Sequence, residues 1–148
     1  MNSETDHLTE GRFELFFFLF VPRVGKRSYF EVMTPPLRFG IVHDFRCPPG
    51  SDITMPQVYA ETFEQIELAE ALGMELCWFT EHHFIEDGYL PNFVPVAAAA
   101  ASKTARIRFS TDICLLPFRH PVRLAEDLAI LDNISNGRME LGVGMGYA

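Results

Sequence analysis

Cysteine is scarce and shows no pairing pattern: Cys47, Cys77 and Cys114 are odd in number and widely separated, and no two form a metal-type pair. Such a set argues against a disulfide framework and fits a reducing cytoplasm. Basic residues are also few, 12 Lys and Arg against 20 Asp and Glu, for a net charge of −8. A chain with this balance has little to neutralise phosphates, so neither a nucleic acid nor an anionic membrane is an expected partner. Long apolar runs are missing as well. The stretch Leu15–Val21 has seven apolar residues, far short of the roughly 20 that span a bilayer. A secretory leader carries basic residues ahead of its apolar core, whereas here Glu4, Asp6, Glu10 and Glu14 outnumber Arg12. Residues 1–36 are therefore expected to be a poorly ordered N-terminal extension, with the natural start near Met33.

What remains has the 48% hydrophobic and 22% charged content of a globular protein with a sizeable core. From Leu37 a strand–helix rhythm sets in. Leu37–Phe45 reads as a short apolar strand, broken by Pro48, Pro49 and Gly50. A helix is expected from Thr54 to Leu72, with Thr54 as N-cap, Tyr59, Phe63, Ile66 and Ala69 on one stripe, and Gly73 ending it. Leu76–Phe79 is a second strand. An Ala-rich helix follows from Asn92 to Lys103, slim enough at Ala97–Ala101 for close packing. Arg106–Leu116 alternates as a third strand, and a helix runs from Pro121 to the Asn136-Gly137 cap. Met139–Met145 alternates with glycines as a fourth strand, where absent side chains would let a ligand near the backbone. Strand–helix repetition of this kind demands parallel strands. A doubly wound sheet and the opening of an eight-fold barrel both accept it. No G-x-G-x-x-G follows the first strand, which removes the best support for a dinucleotide-binding sheet.

Chemistry concentrates where Leu76-Cys77-Trp78-Phe79 gives way to Thr80-Glu81-His82-His83-Phe84. Titratable residues at the carboxyl end of a buried parallel strand are how α/β folds present a site. If the extended geometry continues, neighbouring residues face opposite ways, so at most one of His82 and His83 is expected to reach a ligand.

Four motifs in order then carry a resemblance: Leu37-Arg38-Phe39-Gly40, Trp78–Phe84, Asn92 with the Ala-rich helix, and Leu115–Leu128 with its sequel Leu131–Arg138. The run from Leu37 to Ala148 resembles the N-terminal half of the bacterial luciferase-like, flavin-dependent monooxygenases. The resemblance implies half of a (β/α)8 TIM barrel, four parallel strands with three intervening helices. Because a closed barrel takes about 250 residues, residues 37–148 are expected to form a truncated barrel domain. It further implies reduced FMN supplied by a separate flavin reductase, O2 and a small organic substrate such as an aldehyde. A homodimer through the second and third helices is implied too. His82 stands where the family places an acid or base, a role an imidazole suits because it exchanges protons near neutral pH.

Glu81 is expected to orient or charge-stabilise that histidine beside the flavin. Asp112 and Ile113 fall where the family carries a non-prolyl cis peptide next to the ring, and Gly144 lies in the cofactor-binding fourth strand. Gly144 and Met145 replace, respectively, a reactive cysteine of the luciferases proper and a basic residue that helps hold the flavin phosphate. A deazaflavin-dependent oxidoreductase of the same fold and a non-catalytic fragment are the alternatives. A metal hydrolase using His82, His120 and Asp112 lacks closely spaced early histidines, since His43 stands alone in the first strand.

Overall fold

The structure is a computed structural model and describes residues 37–146, so the expectation for residues 1–36 lies outside the described residues. Five short strands and three helices alternate along it. They are β1 (Gly40–His43), α1 (Met55–Ala71), β2 (Leu76–Phe79), α2 (Phe93–Lys103), β3 (Arg108–Thr111), β4 (Cys114–Leu115), α3 (Pro121–Ser135) and β5 (Val143–Gly144). One turn of 3-10 helix, Leu116–Phe118, links β4 to α3. The first three strands pair in parallel in the order β1-β2-β3, with Gly40 opposite Leu76 and Leu76 opposite Arg108. β4 and β5 pair in parallel beyond them, and Phe109 bridges Met139 in the same sense.

The α/β class, the parallel strands and the three helices match expectation. The third strand does not run unbroken from 106 to 116: it is interrupted at Asp112–Ile113, where the peptide bond is cis. The fourth is shorter than expected, two residues, Val143–Gly144, with Met139 bridging Phe109 ahead of it. Gly142 sits where any Cβ would collide with the Thr111 carbonyl, and Thr111 Oγ1 exchanges hydrogen bonds with the Gly142 O and N at 2.6 and 3.1 Å.

The helices begin and end where the sequence chemistry places them. The Thr54 amide donates to Gln57 Oε1 at 2.8 Å, and Asn92 Oδ1 accepts from the Val94 amide at 3.2 Å. α3 closes with Asn136 at φ 56° and Gly137 at φ 75°, whose amide returns to the Asp132 carbonyl at 2.9 Å. The α1 stripe holds at Ile66 and Ala69 but falls one residue earlier than expected in the first half of the helix. Val58, Thr62, Ile66 and Ala69 are buried, while Tyr59 and Phe63 lie only partly so.

Between helices and sheet, Phe45, Phe79, Phe93 and Phe109 fill the core, the Phe79 and Phe109 rings stacking at 5.9 Å. Ala97, Ala100 and Ala101 are buried within the chain, so the close approach that the alanines permit is used internally, α2 lying against α3. Arg138 ties this junction. Its guanidinium donates to the Ala101 and Ile107 carbonyls at 2.8 and 2.9 Å and lies over the Phe109 ring. Glu70 fixes the turn into β3 by accepting from the Arg106 and Ile107 amides at 2.6 and 2.8 Å.

Candidate active site

β2 stops at Phe79, and the Thr80 amide makes its last sheet-like bond to the His43 carbonyl at 3.2 Å. Extended geometry does not continue, so the alternation expected across Glu81, His82 and His83 fails. Both histidines line one cleft of about 480 Å³ at the carboxyl ends of the strands, a volume typical of small-molecule sites. Its other walls are Glu81, Phe84, Asp112, Ile113, Leu115, Pro117, Phe118, Met145 and Gly146. The expectation that at most one of the two histidines reaches a site is thereby corrected. Phe84 stands at the lip with φ 59° and its side chain fully exposed, a backbone state that costs a bulky residue roughly 1–2 kcal/mol.

Glu81 is turned toward His83. Its carboxylate has no exposed surface, and Oε1 lies 2.9 Å from His83 Nε2. Oε2 lies 2.9 Å from Arg119 Nη2. That second contact is an ion pair without hydrogen-bond alignment, since neither Glu81 Oε2 nor Arg119 Nε has a hydrogen-bond partner. Arg119 comes from the turn before α3 and is itself held: Nη1 donates to Asn92 Oδ1 at 3.1 Å, and the guanidinium covers the Phe93 ring at 5.6 Å. The buried Cys114 thiol touches both charges. Burial, and after it the Glu81 charge, raise its pKa against the opposing pull of Arg119, which disfavours the nucleophilic thiolate.

His82 is positioned differently. Its amide donates to the Leu90 carbonyl at 3.0 Å, and its ring packs on Tyr89 with centroids 4.2 Å apart. His83 packs against Phe118 at 4.8 Å. Asp112 and Ile113 are at the cleft as expected. Gly144 is not itself among the lining residues: a Cβ there would run into the end of the Ile113 side chain, which occupies the space the glycine frees. His120 is the N-cap residue of α3. Among the described residues no three of His, Cys, Asp and Glu converge as a metal site would require, and no helix is long and apolar enough to cross a membrane.

Two participants escaped sequence reasoning. Arg119 stands inside the Leu115–Leu128 motif, and nothing local marks an arginine as the partner of an acid in a distant loop. For His83, strand alternation leaves open which of the two histidines reaches the site, and the family resemblance points to His82 alone. The polar Thr80 directly after the apolar run was the available signal that the strand ends there.

A parallel sheet with helices between its strands and a ligand-sized cleft at their carboxyl ends defines a class of small-molecule α/β proteins. Within that class the family is specific: the model of the luciferase-like monooxygenases matches residues 37–148, and the chain belongs to that family. It is 38% identical over 93 residues to the oxygenase component of a flavin-dependent trigonelline monooxygenase from Acinetobacter baylyi, a match covering 63% of this chain and 26% of that one. The oxygenating constituent of 3,6-diketocamphane monooxygenase from Pseudomonas putida, a type II Baeyer–Villiger enzyme solved with FMN, superposes with a TM-score of 0.67 at 29% identity, covering 75% of this chain and 30% of that one. A coenzyme F420 dependent tetrahydromethanopterin reductase from Methanopyrus kandleri gives a TM-score of 0.59 at 27% identity, over 74% of this chain and 27% of that one. The chain thus spans between 26% and 30% of the length of these relatives.

Proposed function

We propose that residues 37–148 form the opening half of a (β/α)8 barrel and supply the ring-binding cleft of a flavin-dependent monooxygenase. It would use reduced FMN from a separate reductase and O2 to oxidise a small organic substrate such as an aldehyde. The observation that carries this reading is the cleft itself. Apolar walls at Ile113, Leu115, Phe118 and Met145 face polar groups at His82, His83 and Asp112, a mixture suited to a flat heteroaromatic ring. The fit is to the ring and not to the whole cofactor. None of the lining residues is Lys or Arg, so the cleft offers no fixed cation to a phosphate.

When bound, reduced flavin supplies the electrons with which O2 is activated. The chain's own residues orient and exclude. Tyr89 and the Leu90 carbonyl hold His82, which would exchange a proton with the substrate or the ring as a general acid or base. Glu81 acts behind His83, and Asp112 and Ile113 form the floor. The exposed apolar row Val122, Ile130 and Ile134 on α3 supports pairing of two copies across α2 and α3. The scattered free cysteines support a cytoplasmic setting.

The test is an anaerobic and aerobic titration of the full chain with FMN. Saturable binding, tighter for reduced FMN and weakened by His82→Ala, is expected. Absence of binding in both redox states would leave a non-catalytic fragment. Binding of a reduced deazaflavin in preference to FMN would move the chain to the reductase branch of the fold.

A further inference from the structure

A second imidazole, His83, lines the cleft, and its Nε2 is engaged by Glu81. Glu81 is wholly buried and paired with Arg119, and a carboxylate only accepts hydrogen bonds. His83 Nε2, 2.9 Å from Glu81 Oε1, must therefore be the nitrogen that carries the proton. Nδ1 of the same ring bonds no group among the described residues, and the side chain keeps 23% of its surface open beside the cleft. Phe118 packs on the ring and limits its rotation.

We propose that Arg119 and Glu81 are positioning residues that lock neutral His83 as its Nε2–H tautomer, so that Nδ1 faces the cleft as a hydrogen-bond acceptor and selects a ligand presenting an N–H or O–H there. The tautomer lock depends only on this chain's geometry. Its consequence for the ligand rests on the flavin reading above: two-electron reduction adds N–H donors to the flavin ring, so an acceptor at Nδ1 favours the reduced form over the oxidised one.

Arg119 makes the proposal sharply testable because a guanidinium can only donate. In Glu81→Gln the amide oxygen must turn to Arg119, which leaves the amide NH2 facing His83. Nε2 then becomes the acceptor and the proton moves to Nδ1. The tautomer inverts although the side chains are nearly the same size.

The measurement is the imidazole 15N spectrum of the full chain above the histidine titration range, with His83 assigned by its disappearance in His83→Gln. Wild type should show an Nε2–H His83 and Glu81→Gln an Nδ1–H one. In the double variant Glu81→Gln, Arg119→Met the amide is free to rotate, and the inversion should relax to a mixture. A wild-type His83 that is Nδ1–H or mixed overturns the proposal even if no variant folds, and so does a folded Glu81→Gln that keeps the wild-type tautomer. In the flavin titration, the preference for reduced over oxidised FMN should fall about tenfold in Glu81→Gln, roughly the worth of one hydrogen bond to a ligand. An unchanged preference would overturn the ligand half. If the wild type binds no flavin, the function proposed above fails, while the 15N spectra still decide the lock.

Discussion

Acid should unfold this domain partly through a single histidine at the end of β1. His43 is half-buried as a residue, but its Nε2 is sealed from solvent and has no hydrogen-bond partner. Burial lowers its pKa from 6.5 to about 4, only partly opposed by the neighbouring Asp44 charge. The folded value lies below the unfolded one, so folding favours the neutral ring. Stability from this group is therefore complete above about pH 6.5 and is lost as the pH falls toward 4, where the unfolded chain binds the proton and the folded one does not. At about 1.4 kcal/mol per unit of displacement, the loss between pH 7 and pH 5 is about 2 kcal/mol. Other groups titrate in that window, so the assay is a difference: urea unfolding of wild type and His43→Leu at both pH values, each read by circular dichroism. The stability of the variant relative to wild type should improve by about 2 kcal/mol on going from pH 7 to pH 5. A difference that does not move with pH would mean that His43 is solvated or partnered when charged, and the reasoning from its sealed nitrogen would be wrong.

Arg138→Met should cost about 3 kcal/mol, because it strands the Ala101, Ile107 and Ser135 carbonyls that the guanidinium satisfies inside the α2–β3–α3 junction; a loss below about 1 kcal/mol in chemical denaturation would refute that accounting. Gly142→Ala and Gly144→Ala should separate cleanly. At Gly142 the new methyl meets the Thr111 backbone, which cannot yield, and about 1–3 kcal/mol of stability should go. At Gly144 it meets only the mobile end of Ile113, so stability should change by less than about 1 kcal/mol while the methyl signals of Ile113 shift as its side chain is pushed out of place. Equal destabilisation by both would contradict the contacts described.

Much of the frame is legible in the residues. Asn92, Pro121 and Asn136-Gly137 bound their helices as cap chemistry requires, and Gly73, at φ 86°, supplies the left-handed turn after α1. The spacing of apolar runs placed the three helices and the parallel strands between them. The end of the motif Trp78–Phe84 marks one wall of the cleft, at Glu81, His82, His83 and Phe84. Legibility failed at ends and crossings. Strand alternation said that His82 and His83 diverge, because period-2 reasoning has no term for the residue at which a strand stops. The first half of the α1 stripe falls on Val58 and Thr62, one position earlier than expected, because helical periodicity fixes an angle and not which neighbour arrives at it.

The sequence by itself determined the elements, their order and the family, since these follow from local propensity, capping and the period of apolar residues along one segment. Tertiary structure alone decided that Glu81 contacts His83, that Arg119 is its counter-charge, and that the Ile113 side chain lies over Gly144. The Arg119 and Ile113 contacts join residues from separate segments, and the Glu81–His83 contact, two residues apart, depends on how the chain turns once β2 has stopped. A side chain's partner in such a pair is set by packing across the sheet, and no pattern read along the chain encodes it.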